Sequence, residues 1–77
     1  MIENPEKILE AALFCAPEPL TIDRLSLLFP EENRPSNADI RGWLSNLKEI
    51  YTDRGVSLQE VASGYRFQVN NEYAAFI

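Results

Sequence analysis

The stretch RGVSLQEVASGYRFQV, residues 54–69, constrains the fold most, because it predicts a β-hairpin directly after a helix. Tyr65, Phe67 and Val69 alternate with Arg66 and Gln68, which is the pattern of a strand with one buried face. The Ala-Ser-Gly sequence before Tyr65 supplies the turn. We therefore expect the aromatic face of this strand to pack inward, over the preceding helix.

The first strand of the hairpin leaves two alternatives open. Val61 falls at an odd offset from Val56 and Leu58, so the strand has either a bulge near residues 59 and 60 or apolar side chains on both faces. Gly55 lies just past the preceding helix and is expected to end it in the left-handed conformation.

Three amphipathic helices are predicted before the hairpin. The first starts at Asn4 and Pro5, an N-cap followed by proline, and the third starts with a capping box of Ser36 and Asp39. The residues expected to face inward are Ile8, Leu9, Ala12, Leu13 and Ala16 in the first helix, Ile22, Leu25, Leu28 and Phe29 in the second, and Ile40, Trp43, Leu44, Leu47 and Tyr51 in the third.

Composition argues against catalysis and against a membrane span. The 77 residues include no histidine and one cysteine, so a catalytic nucleophile–base pair, a metal site or a bound cofactor is not expected. Cys15 is expected to be a small buried residue, and Glu3, Glu6 and Glu10 to lie on an exposed face. No apolar run approaches the roughly 18 to 20 residues of a membrane span, and no export signal is seen, so we expect a cytoplasmic protein.

The order helix, link, helix, helix, hairpin predicts an α+β winged helix, a three-helix bundle with a C-terminal β-hairpin wing. The segments APEPLTIDRL and RGVSLQEVASGYRFQV resemble the N-terminal domain of the bacterial segregation and condensation protein B family. The family often has two glycines at the hairpin turn, where this chain has Ser63 and Gly64. Residues 1–70 are predicted to form the winged helix, and residues 71–77 to start a fourth helix leading to a second domain of a longer protein.

This resemblance implies a scaffolding subunit with no enzymatic activity. Members of the family form homodimers and bind the kleisin subunit of a condensin-like complex, and through it the chromosome-maintenance ATPase. The implied role is in chromosome condensation and segregation.

Two apolar residues fall outside the predicted core stripes. On a helical wheel at roughly 100° per residue, Phe14 lies about 140° from Leu9, and Leu27 lies at the same angle from Ile22. Since isolated exposed apolar residues are common, the pattern alone does not decide their role. With the resemblance, it makes Phe14 and Leu27 candidates for a dimer interface.

The alternative function is that of a DNA-binding winged helix in a transcriptional regulator. Its candidate residues for weak contacts with the DNA backbone are Arg41 and Lys48 on the third helix and Arg66 on the wing. The net charge is −5; residues 1–39 hold eight acids and three bases, and residues 40–77 hold four of each. This balance opposes strong binding to a polyanion, so we expect no strong direct contact with nucleic acid.

Overall fold

The computed structural model describes residues 3–77, in which three helices precede an antiparallel hairpin and a short fourth helix follows it. The elements are α1 (Pro5–Cys15), α2 (Ile22–Ser26), α3 (Asn37–Ile50), β1 (Val56–Val61), β2 (Gly64–Val69) and α4 (Asn71–Ala74), with a 3₁₀ turn at Glu31–Asn33. The predicted α+β winged helix is confirmed.

The core is built from the helical stripes that the sequence predicted. Its buried residues are Leu9, Leu13, Leu25, Phe29, Ile40, Leu44, Leu47 and Leu58. Leu58 comes from β1, so the hairpin contributes directly to the same core as the helices. Trp43 lies half-buried at the edge of this core, with its ring centroid 5.9 Å from that of Phe29.

The helix starts follow the predicted caps, with one difference. Ser36 and Asp39 form the capping box, with hydrogen bonds of 3.1 and 3.3 Å, and Thr21 caps α2 by accepting from the backbone N–H of Arg24 at 3.1 Å. Asn4 caps α1 without a side-chain hydrogen bond; it adopts the left-handed conformation, with φ 53°, which asparagine tolerates better than most residues.

Two predicted core positions are wrong. Leu28 is 44% exposed, because α2 ends at Ser26 and the chain continues in tight turns that rotate Leu28 outward. Cys15 is exposed, because it falls on the outer face of the last turn of α1.

The hairpin pairs in regular register, from Val56 opposite Val69 to Val61 opposite Gly64. There is thus no bulge along β1, and Val61 lies on the face opposite Leu58. The inward prediction holds for Tyr65 and Phe67, which pack against the core, but it is wrong for Val69, which is 42% exposed. The core covers the middle of the hairpin and does not reach its open end.

The left-handed glycine is Gly64, not Gly55. Gly64 has φ 133°, whereas Gly55 does not have a positive φ, so the prediction for Gly55 is wrong. A Cβ on Gly64 would lie 2.5 Å from the backbone carbonyl of Leu20 and 2.8 Å from the nitrogen of Thr21. Glycine is therefore required both by the backbone conformation and by the close approach of the α1–α2 link.

That close approach is fixed by backbone hydrogen bonds between the link and β2. The N–H of Leu20 donates to the carbonyl of Tyr65 at 2.9 Å, and the N–H of Tyr65 donates to the carbonyl of Leu20 at 2.8 Å. Leu20 thereby lies beside β2 on the side away from β1.

Two acids expected on an exposed face instead join α1 to α3. Glu6 accepts from the side-chain amide of Asn46 at 2.7 Å, and Glu10 accepts from the hydroxyl of Tyr51. Both carboxylates lie on half-buried residues, so their predicted placement is wrong. Tyr51 also packs against Phe67, with ring centroids 4.8 Å apart, and so connects α1, α3 and β2.

Gly64→Ala is expected to destabilise the domain strongly, while Gly55→Ala is not. The left-handed backbone alone costs an alanine about 1–3 kcal/mol, and the contact with Leu20 adds to this cost. Gly55 has nothing within 4 Å of its ideal Cβ, so alanine there should be neutral or stabilise by about 0.4–1 kcal/mol. Urea unfolding of both variants measures the difference, and equal midpoints would contradict the close approach at Gly64.

Tyr51→Phe is expected to cost about 1 kcal/mol near neutral pH, because it removes the hydrogen bond to Glu10. That hydrogen bond, followed by burial, raises the pKa of the Tyr51 phenol above its ordinary value of 10.0. The folded state thus holds the phenolic proton more tightly than the unfolded state, and the stabilisation is full below pH 10 and falls as the pH rises through the folded pKa.

The gap in urea midpoint between the parent and Tyr51→Phe should therefore shrink as the pH is raised from about 8 to about 11. Burial also raises the pKa of Tyr65, but this residue is present in both proteins and its effect cancels in the comparison. A gap that widens over this range would contradict the assigned hydrogen bond.

Candidate functional site

The last turn of α1 presents an unpaired aromatic ring to solvent. Leu9 and Leu13 point into the core, which leaves Phe14 on the outer face with 81% of its surface exposed. Pro17 and Pro19 follow at once and keep the α1–α2 link extended, away from the helix axis. Phe14 is therefore displayed where the chain leaves the helix.

A hollow of about 370 Å³ lies between Phe14 and the outer face of the wing. We call it the Phe14 hollow; its walls are Leu13, Phe14, residues 16–19 of the link and residues 66–68 of β2. Arg66, which the sequence suggested for contact with DNA, lies on this wall and donates to the side-chain carbonyl of Gln68 at 3.0 Å. An exposed aromatic, two prolines and a guanidinium form a surface of the kind that binds other proteins.

A second exposed apolar surface lies at the end of α2. Leu27 is the C-cap residue of that helix and is 62% exposed, and Leu28 beside it is exposed as well. The sequence predicts that Leu27 is exposed but places Leu28 in the core, because the helical pattern extends to Phe29, whereas α2 ends at Ser26. Phe14 and Leu27 lie on different helices, and a single interface that contains both stays a prediction.

The three basic candidates for DNA contact line three different hollows. Arg41 lines a hollow beside the turn of the wing with Glu60 and Tyr65, Lys48 lines a groove between α3 and β1, and Arg66 lines the Phe14 hollow. Glutamates lie near all three basic residues in these hollows. Each of these positive charges thus has an acidic neighbour, which weakens the attraction to a phosphate backbone.

No metal-binding cluster of three or more His, Cys, Asp or Glu side chains occurs within residues 3–77. In the same part of the chain, every helix is too short or too polar to cross a bilayer.

Comparison with known proteins gives one consistent result. The family model described as segregation and condensation complex subunit ScpB matches residues 7–77. A segregation and condensation protein B homolog from Coxiella burnetii is 53% identical over 74 residues, which are 96% of this chain and 35% of that protein. This chain thus spans about a third of the length of that relative.

Two solved structures share the fold over 96% of this chain. ScpB from Mycobacterium tuberculosis matches with a TM-score of 0.82 at 22% identity, over 45% of its own chain. A dimer of the ScpB N-terminal domain complexed with ScpA peptide matches with a TM-score of 0.80 at 19% identity, over 84% of its own chain.

Binding to duplex DNA is expected to stay in the non-specific range, with a Kd of about 10⁻⁴ M or weaker at physiological salt, because the basic residues are few and locally neutralised. Fluorescence anisotropy with a labelled duplex measures it. Arg66→Ala should leave this weak binding unchanged within about twofold, since one phosphate contact contributes little. Sub-micromolar, sequence-dependent binding would support the regulator function instead.

Proposed function

This chain belongs to the segregation and condensation complex subunit ScpB family, and we propose that it acts as a scaffolding domain without enzymatic activity in a bacterial condensin-like complex. In this proposal it forms a homodimer and binds a kleisin subunit. Through the kleisin it associates with the chromosome-maintenance ATPase and works in chromosome condensation and segregation. We place this activity in the cytoplasm, with the nucleoid reached through its partners.

The observation that supports the proposal most is the apolar surface that the core does not use. The core is complete without Phe14, Leu27 or Leu28, yet all three side chains are exposed. Exposed apolar groups of this size gain free energy when another surface covers them, at roughly 25 cal/mol per Å². A relative of the same fold is known as a dimer with a bound ScpA peptide, which is the assembly that such a surface would serve.

We assign the self-contact to Phe14 and Leu27. A twofold dimer places the same patch of both copies at one interface, so the interface buries two copies of each exposed side chain. The Phe14 hollow offers space beside the ring for side chains of the second copy.

Residues 71–77 are proposed to lead into a second domain. Tyr73, Phe76 and Ile77 recur at i, i+3 and i+4, and all three are exposed, with Ile77 at 93%. A stripe of this kind is typical of a helix that packs against a further domain. The relative from Coxiella burnetii is long enough to contain one.

Phe14→Asp and Leu27→Asp are each expected to weaken self-association by about 3 kcal/mol, roughly a hundredfold in Kd, because a twofold contact would hold two like charges out of water. Ser63→Asp adds the same charge at the exposed turn of the wing and serves as the matched control. Sedimentation equilibrium gives the association constants, and circular dichroism verifies that each variant is folded.

A parent chain that stays monomeric at high micromolar concentration would contradict self-association by this domain. If the parent forms a dimer and neither substitution weakens it, self-association would stand and this interface would be rejected.

A further inference from the structure

β1 is a free edge of the sheet. The sheet has two strands, β2 is flanked on its other side by Leu20, and within residues 3–77 no segment pairs with the outer side of β1. An edge strand presents backbone N–H and C=O groups that another extended chain can bind. The hydrogen bonds of β2 determine which backbone groups of β1 point outward.

The outward groups belong to Val56, Leu58 and Glu60. Both backbone groups of Tyr65 form hydrogen bonds with Leu20, so they point away from β1. Glu60 is the antiparallel partner of Tyr65, and its own N–H and C=O groups must therefore point away from β2. The alternation of an antiparallel ladder extends this to Leu58 and Val56. The N–H of Asn70 donates to the carbonyl of Gly55 at 2.9 Å. This hydrogen bond independently shows that the backbone groups of the odd-numbered residues of β1 point toward β2.

This edge lacks the features by which proteins usually protect an exposed strand. The sequence of β1, VSLQEV, contains no proline and no lysine, and its register has no bulge. Glu60 is its only charged residue. The strand is thus open to pairing over its whole length.

A groove of about 470 Å³ runs beside the free edge, between β1 and α3. Its walls are Ser45, Lys48 and Glu49 of α3, Thr52 just after that helix, Ser57, Leu58 and Gln59 of β1, and Asn70. The two charges are opposite in sign and adjacent in sequence, so the groove offers no net charge to a ligand. The groove fits an uncharged side chain on the inward face of an added strand.

A second copy of β1 would not fill this groove. In a twofold antiparallel pairing centred on Leu58, the inward side chain of the added strand would be the other copy's Leu58, which is buried in its own core with 1% of its surface exposed. The occupant must be an extended segment whose inward side chains are free. A peptide segment of another chain meets this requirement.

We propose that the free edge of β1 binds an extended segment of the kleisin partner as an added β-strand, with an uncharged side chain of that segment in the groove against α3. This inference rests on the proposed function, because it says where the partner of that assembly binds. It assigns partner binding to a surface separate from Phe14 and Leu27, so self-association and partner binding can occur together.

The test uses amide hydrogen exchange on the 77-residue chain, followed by NMR, with and without the kleisin subunit from the same genome. In the free chain the N–H groups of Ser57, Gln59 and Val61 should exchange slowly and those of Val56, Leu58 and Glu60 faster. Kleisin should slow the second set by about tenfold or more and leave the first set nearly unchanged. This alternation is the pattern expected when a strand is added at the edge of β1.

Glu60→Pro supplies the matching affinity measurement, with Glu60→Ala as control. Proline removes the outward N–H of residue 60 without breaking a bond to β2, and alanine keeps that N–H while removing the same charge. Glu60→Pro should weaken kleisin binding about tenfold or more by calorimetry, and Glu60→Ala should stay within about threefold of the parent.

Three outcomes overturn the inference, and they differ in what else they reject. Kleisin that binds the parent without the alternating protection, or equally well to Glu60→Pro, rejects strand addition and leaves the proposed function intact. A parent that does not bind kleisin rejects both. Protection of Val56, Leu58 and Glu60 that appears without kleisin and grows with protein concentration assigns the edge to a second copy instead.

Discussion

The pair of backbone hydrogen bonds between Leu20 and Tyr65 ties the wing to the helices, and the other features of the hairpin depend on it. A two-stranded hairpin is marginal in water by itself. Here the link between α1 and α2 holds one side of β2, and Leu58 and Phe67 pack against the core. The bridge also fixes which backbone groups of β2 point outward, and therefore which groups β1 presents at its free edge.

The helical core could be predicted from the sequence because its signals are local. Pro17 and the pair Ser36 and Asp39 mark helix boundaries, and the stripes of apolar residues between them follow the 3.6-residue period. Leu28 differs from its predicted inward position because nothing in the sequence shows that α2 stops after five residues. The positive φ predicted at Gly55 occurs instead at Gly64, where the close approach of Leu20, far away along the chain, leaves no space for a Cβ.

Individual residues of the candidate site could be predicted from the sequence, but their positions relative to one another could not. Helical phase identified Phe14, but its proximity to Arg66 arises only when the wing folds back against the end of α1. The sequence predicts exposed positions for Glu6 and Glu10, whereas Glu6 accepts a hydrogen bond from α3 and Glu10 accepts one from the C-cap residue of α3. The winged-helix shape alone would suggest DNA binding, and the glutamates that share a hollow with each of Arg41, Lys48 and Arg66 argue against it.

The outward position of Cys15 gives this molecule a natural labelling site. It is the only cysteine in the sequence, it is exposed, and its neighbours Phe14 and Ala16 both line the Phe14 hollow. A thiol-reactive fluorophore attached there would lie at the rim of the hollow without any substitution in the chain. Its emission would respond to the exclusion of water from the hollow, and so would follow assembly on this face in real time.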